Sequence, residues 1–197
     1  MNVLAERIQQ LARDERLARR AGFWWGFAEG LFFFIVPDVY VSFAALFSLR
    51  TGLVAWTASI AGSLAGVVAI YLLAVIVGID YVGFLDAIPG ISGGMLSRVG
   101  AQLSAEGLPY TALLIMGGVP LKVYAGLAFS LGFGLVPVLV WTVFARIVRM
   151  APVFAVAAAA RVVFRRSIDA RPALWLAVLG GVWFVFYVFY FMRMSRG

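Results

Sequence analysis

Two runs without a single charged residue, Leu53 to Ile79 and Pro172 to Met192, stand out along the chain. About 20 predominantly apolar residues cross the hydrocarbon core of a bilayer, so each run predicts a membrane-spanning helix. A third long helical segment, Phe133 to Ala160, is apolar except for Arg146 and Arg149. Ahead of these, residues 1–21 alternate differently. Leu4, Ile8, Leu11 and Ala18 recur at helical spacing while Arg7, Arg13, Arg16, Arg19 and Arg20 mostly lie elsewhere, the pattern of an amphipathic helix lying flat at the headgroups.

The stretch Gly22 to Leu49 is apolar but contains Glu29 and the pair Pro37-Asp38. In one straight helix the two acids would fall on opposite faces, leaving one of them in lipid at high cost. If the chain instead turns back near Pro37, the arm Val39 to Leu49 reaches roughly 16 Å, about half the core thickness. A re-entrant hairpin over about residues 22–50 then buries both carboxylates in protein, where broken backbone is tolerated at membrane depth.

The second half echoes the first. Val36, Pro37, Val39, Tyr40, Phe47, Ser48 and Leu49 return as Val119, Pro120, Val123, Tyr124, Phe129, Ser130 and Leu131, predicting a second hairpin over about 108–131 with Pro37 and Pro120 at the tips. With hairpins, one crossing separates the copies and the repeat is inverted, a layout characteristic of transporters with a midplane site; with plain kinked spans, two crossings separate them and the repeat is parallel. The expected organisation is all-α: an interfacial helix (1–21), a core (22–160) with two hairpins in an inverted repeat, and a basic loop with a final span (161–197), giving about three transmembrane helices in all. Arg161, Arg165, Arg166 and Arg171 in that loop, with the basic N-terminus, fit the cytoplasmic side, and the Asp80 to Gly107 connection fits the other side.

Composition narrows the chemistry. The chain is 64% hydrophobic and carries 16 basic residues against 9 acidic ones, a formal net charge of +7. On a membrane protein that excess reads as positive-inside topology and anionic-lipid contact rather than nucleic-acid binding. With no Cys and no His, thiol and imidazole nucleophiles, disulfides and Cys/His metal sites are excluded. Asp80 and Asp86 stand beside no other ligand type, so neither an enzyme nor a metal or cofactor site is expected.

In order and spacing, Glu29, Phe32, Phe33, Ile35, Pro37 and Asp38 in EGLFFFIVPD, then Gly62, Gly66 and Tyr71, then Pro120, Lys122 and Val123 in VPLKV, and finally Arg146 and Arg149, resemble the DedA or VTT-domain superfamily, closest to its YqaA-like branch. Phe34, Val36, Ala145 and Gly117 depart from that pattern. The resemblance implies a flippase or scramblase in the bacterial cytoplasmic membrane, with undecaprenyl phosphate or a phospholipid as substrate, coupled or not to protons. The hexapeptide Pro89 to Gly94 also looks like a signature of an unrelated family of polyprenyl-phosphate transporters.

The sign of the charged residues is segregated by half. Glu29 and Asp38 come from the first copy and Lys122, Arg146 and Arg149 from the second. Arg146 and Arg149, three apart on one helical face, can fork onto a lipid phosphate with Lys122 adding a point charge, and Glu29 or Asp38 can carry a proton. The competing readings are a structural or assembly factor whose buried charges only hold the halves together, or a lipid-metabolising membrane enzyme. Gly93, Gly94 and Arg98 offer a glycine-rich turn able to receive an anion, though such runs are more often plain tight turns. Gly62 and Gly66 read as close helix packing. The expected partners are membrane lipids, with a homo-oligomer compatible with the pattern.

Overall fold

The computed structural model describes residues 3–111 and 118–194, and everything regular in them is helical. The helices are α1 (Val3–Arg13), α2 (Glu15–Leu31), α3 (Asp38–Phe47), α4 (Leu49–Tyr71), α5 (Tyr81–Asp86), α6 (Gly93–Glu106), α7 (Leu121–Ser130), α8 (Leu135–Val163), α9 (Arg165–Ala170) and α10 (Pro172–Met194). A π-helical turn, Leu72–Ile76, prolongs α4. Three helical stretches, Leu49–Ile76, Leu135–Val163 and Pro172–Met192, are long and apolar enough to cross a membrane. The protein is therefore membrane-embedded.

The most intimate packing joins α2 to α4 along small residues. A Cβ on Gly22 would lie 2.5 Å from the Ala55 carbonyl oxygen, Gly26 faces the Ser59 backbone, and Gly30 faces Ser63 and Gly66. Contact positions rise together along both helices, so α2 and α4 run parallel. Gly62 closes the seam from the other side against the backbone of Phe23 and Phe27. Where side chains cannot gain by burial from lipid, such close backbone approach supplies the van der Waals contact that associates helices.

Between these parallel helices α3 returns the chain to its starting end. Glu15 at the start of α2 pairs with Arg50 at the start of α4, Nε to Oε1 2.8 Å. Ser48 makes the corner, its hydroxyl accepting from the Thr51 amide and the Thr51 hydroxyl. Helix α8 then runs antiparallel to α4, with Met150 against Ser59 and Phe154 against Trp56.

Three boundaries differ from the sequence expectation. The amphipathic segment does not extend to residue 21: Asp14 accepts from the amides of Arg16 and Leu17 and starts α2 there, because a short carboxylate caps a new helix better than it continues an old one. Ile8 and Ala12 of α1 are buried against Leu46, Phe47 and Ile168, while Leu11 stays exposed. The Asp80 to Gly107 connection contains two helices, and Met95, Val99 and Leu103 form the buried stripe of α6 at four-residue spacing.

The third difference is the basic loop. Arg161 belongs to the last turn of α8, and Arg165 and Arg166 open α9. Asp169 gathers this end, accepting from both Arg161 Nη atoms at 2.8 and 3.3 Å and lying 3.7 Å from Arg13, while Gln9 donates to its carbonyl. The hydrogen bond from Arg161 holds the Asp169 carboxyl below the usual aspartate range. In the second expected hairpin, residues 112–117, Gly117 among them, lie outside the described residues. The second arm is α7, buried from Leu121 to Phe129.

Candidate functional site

Among the described residues, four acidic or basic side chains are almost wholly withdrawn from the surface: Glu29 on α2, Asp38 on α3, Lys122 on α7 and Arg146 on α8. Each is delivered by a different helix. Glu29 lies between Gly26 and Gly30, whose contact with α4 fixes the depth of α2. Asp38 opens α3 immediately after Pro37, which sets the first φ at −67° and whose ring cannot donate, so the helix starts there. Lys122 is the second residue of α7, a helix that again starts directly behind a proline, Pro120.

Glu29 is the hub. Its Oε2 accepts from Arg146 Nη2, and its Oε1 lies 3.8 Å from Lys122 Nζ. One carboxylate therefore serves two cations. Asp38 is different, for neither of its carboxylate oxygens has a hydrogen-bond partner among the described residues. Across space rather than by contact, Arg149 and then Arg146 attract its charge and Glu29 repels it. Arg146 also keeps its Nε and Nη1 unpartnered, and Arg149, half-buried, forms no ion pair among the described residues. Counting formal charges, three cations face two anions, and the excess sits at the guanidinium groups.

Both arginines line a cavity of about 20 Å³ with Val119, Leu121, Tyr124, Trp141 and Ala145. That volume holds about one water molecule. Trp141 is anchored at its wall, donating from Nε1 to the Pro109 carbonyl at 2.7 Å and packing its ring against Tyr124. The arrangement leaves guanidinium donors without protein acceptors beside a space of about one water molecule, so a larger anionic group reaches them only when the cavity widens.

The chain between Leu31 and Asp38 is not helical, and three aromatic side chains satisfy its backbone. Trp25 Nε1 donates to the Ile35 carbonyl at 2.9 Å, the Tyr81 hydroxyl donates to the Leu31 carbonyl, and the Val36 amide donates to the Tyr187 hydroxyl at 2.8 Å. Sequence reasoning missed these residues and the seam partners of Gly62. Gly22, Gly26 and Gly30 at four-residue intervals carried a readable signal; for Tyr81 and Tyr187 there was none, since their partners are backbone atoms far away in the chain.

Of the sequence-predicted site residues, Glu29, Lys122 and Arg146 touch, and Asp38 and Arg149 stand beside them. Pro37 immediately precedes Asp38, and Pro120 lies two residues before Lys122. Gly93, Gly94 and Arg98 do not join. They sit exposed at the start of α6, where the Ser92 hydroxyl accepts from the Met95 amide, and no hydrogen bond or ion pair links them to the cluster among the described residues. No group of three or more acidic residues able to hold a metal ion occurs among the described residues.

The fold and cluster define an all-helical, membrane-embedded protein with a buried set of opposed charges. No protein-family model, curated protein or solved structure matches the chain.

Proposed function

We propose that the protein is a flippase or scramblase for a phosphate-bearing lipid, undecaprenyl phosphate or a phospholipid, in the bacterial cytoplasmic membrane. The observation that carries this reading is Arg146: buried to 1% exposure, it spends one nitrogen on Glu29 and leaves Nε and Nη1 unpartnered beside Arg149 and a cavity. A buried guanidinium needs acceptors for its unpartnered nitrogens, and phosphate oxygens supply charged ones. The motif resemblance to the DedA superfamily points the same way.

The geometry of the first half supports a re-entrant hairpin. Helix α2, with 17 residues, spans about 25 Å and α3, with 10, about 15 Å, both short of a roughly 30 Å core, and the Glu15–Arg50 pair joins the two ends of the excursion. Pro120 and the ten-residue α7, followed by the long α8, supply the corresponding half of an inverted repeat. Arginines of α1, the start of α2, Arg50 and Arg161 to Arg171 gather at one end, which by the positive-inside rule supports a cytoplasmic place for that end and the N-terminus.

Within this reading the two acids divide the work. Glu29, held by two cations, fixes the second half against the first. Asp38, with both oxygens free, is the group able to take up and release a proton as a lipid phosphate arrives at Arg149 and Arg146.

Arg149→Lys is the cleanest test, because Arg149 has no protein ion pair to lose. Lipid movement in reconstituted vesicles is expected to fall at least tenfold, the loss of one bidentate contact, with thermal stability unchanged. Full transport by both Arg149→Lys and Arg146→Lys proteins would exclude the phosphate role.

A further inference from the structure

The last helix, α10, is joined to the rest in an unusual manner. From Ala173 to Met192 none of its residues is buried, and the half-buried ones form one stripe: Trp175, Leu179, Trp183, Tyr187 and Tyr190. Such a face has little apolar packing to offer. What it offers is hydrogen bonds from polar-tipped aromatic rings. Trp175 donates to the Ser167 hydroxyl at 3.1 Å, Trp183 donates to the Ser42 hydroxyl on α3 at 3.0 Å, and Tyr187 accepts the Val36 amide at 2.8 Å. The Phe34 and Phe191 rings meet edge to face, their centroids 6.0 Å apart.

Two of these bonds land on the same short piece of chain. Val36 lies in the non-helical turn after Glu29 and two residues before Asp38, and Ser42 is on the first turns of α3. The Phe32 and Phe33 amides still reach the Ala28 carbonyl, but the Val36 amide relies on the Tyr187 hydroxyl, and an amide left unpaired away from water is costly. The Tyr187 hydroxyl also lies within the field of Arg149, Asp38 and Glu29.

We propose that α10 is a latch, with Tyr187 and Trp183 as positioning residues that pin the turn between Glu29 and Asp38 and so keep both acids in register with Lys122 and Arg146. This rests on the transport reading only for its purpose. The geometry itself can be read without any transport. Lys122 is the only lysine in the chain, so its amine is a unique chemical reporter of the cluster. While the latch is closed that amine is 1% exposed, held near Glu29 and unreactive. If the turn swings away, the end of α2 that carries Glu29 loses a restraint beyond its glycine seam and Lys122 becomes open to acylation.

The experiment compares wild-type protein in detergent micelles with Tyr187→Phe, with Trp183→Phe, and with a control on the exposed face, Phe184→Leu. Three quantities are followed: acetic anhydride labelling of Lys122, backbone hydrogen exchange over residues 32–38 by mass spectrometry, and melting temperature. Tyr187→Phe is expected to speed Lys122 labelling and turn exchange about tenfold, the effect of one lost hydrogen bond to a buried donor. Trp183→Phe should act in the same direction, the control should not, and melting should barely change.

Unchanged labelling and exchange would overturn the latch. Faster exchange with unchanged Lys122 labelling would overturn the positioning role, leaving only a pinned turn. Collapse of the melting temperature in both Tyr187→Phe and Trp183→Phe would reduce α10 to a fold-stabilising element and overturn the proposal equally. If the wild-type protein moves no lipid while Lys122 labelling still rises in the variants, the transport reading falls and the latch stands.

Discussion

Glu29→Gln is expected to destabilise the protein by about 3 to 5 kcal/mol, because it leaves two buried cations, Lys122 and Arg146, without their common partner. Asp38→Asn should behave differently. The aspartate carries a buried charge with no hydrogen bond to lose, so removing the charge relieves desolvation while giving up only long-range attraction to Arg149 and Arg146. Its expected cost is about 1 kcal/mol or less. Thermal unfolding of the two purified variants, side by side in one detergent, checks the contrast. Equal losses would mean that Glu29 is not the hub, or that Asp38 acquires a direct partner in the membrane.

The second large effect is steric. Gly62→Leu should prevent α2 from seating on α4, since even a Cβ at Gly62 would come within 2.8 Å of the Phe23 carbonyl carbon and 2.9 Å of the Phe27 nitrogen. Both obstacles are backbone atoms of a packed helix and cannot rotate aside. Overpacking ordinarily costs about 1 to 3 kcal/mol, and a clash with backbone belongs at or beyond the top of that range. Gly100→Ala is the matched control: nothing lies within 4 Å of its Cβ position, and it sits inside α6, where alanine is the better helix former. Loss of monodisperse protein in the Gly62 variant, with normal yield of the Gly100 variant, is the expected pair of results.

How much of this was legible in the sequence follows from which interactions are local. The spans of α4 and α10 could be read directly, because an uncharged run reports its own environment. So could the turn at Pro37, where proline and two acids at incompatible angles exclude a straight helix. The break at Asp14 was written in the chain but hidden by an apolar periodicity that continues across it in Ile8, Ala12 and Ala18. The buried stripe Met95, Val99 and Leu103 was likewise visible, yet the glycine-rich segment before it and the few charges around it suggested a loop.

For the charge cluster, sequence supplied the members and their opposite signs. It could not supply the pairing. That Glu29 takes two cations while Asp38 takes none depends on how far α2 advances along α4 before it ends, and that distance is set by the glycine seam together with Tyr81 and Trp25 acting on the turn. Those contacts join residues 10 to 50 positions apart through backbone atoms, which carry no sequence signature.

The central claim is that the guanidinium groups at the cavity receive a lipid phosphate and pass it across the bilayer. Its most direct test is reconstitution of the wild-type protein in liposomes containing labelled undecaprenyl phosphate beside labelled phospholipid, with and without a pH gradient, following the appearance of each label on the opposite leaflet. The account predicts movement of a phosphate-bearing lipid well above protein-free liposomes, reduced at least tenfold in the Arg149→Lys protein. Movement of neither lipid above that background, by protein shown to be folded, would contradict it.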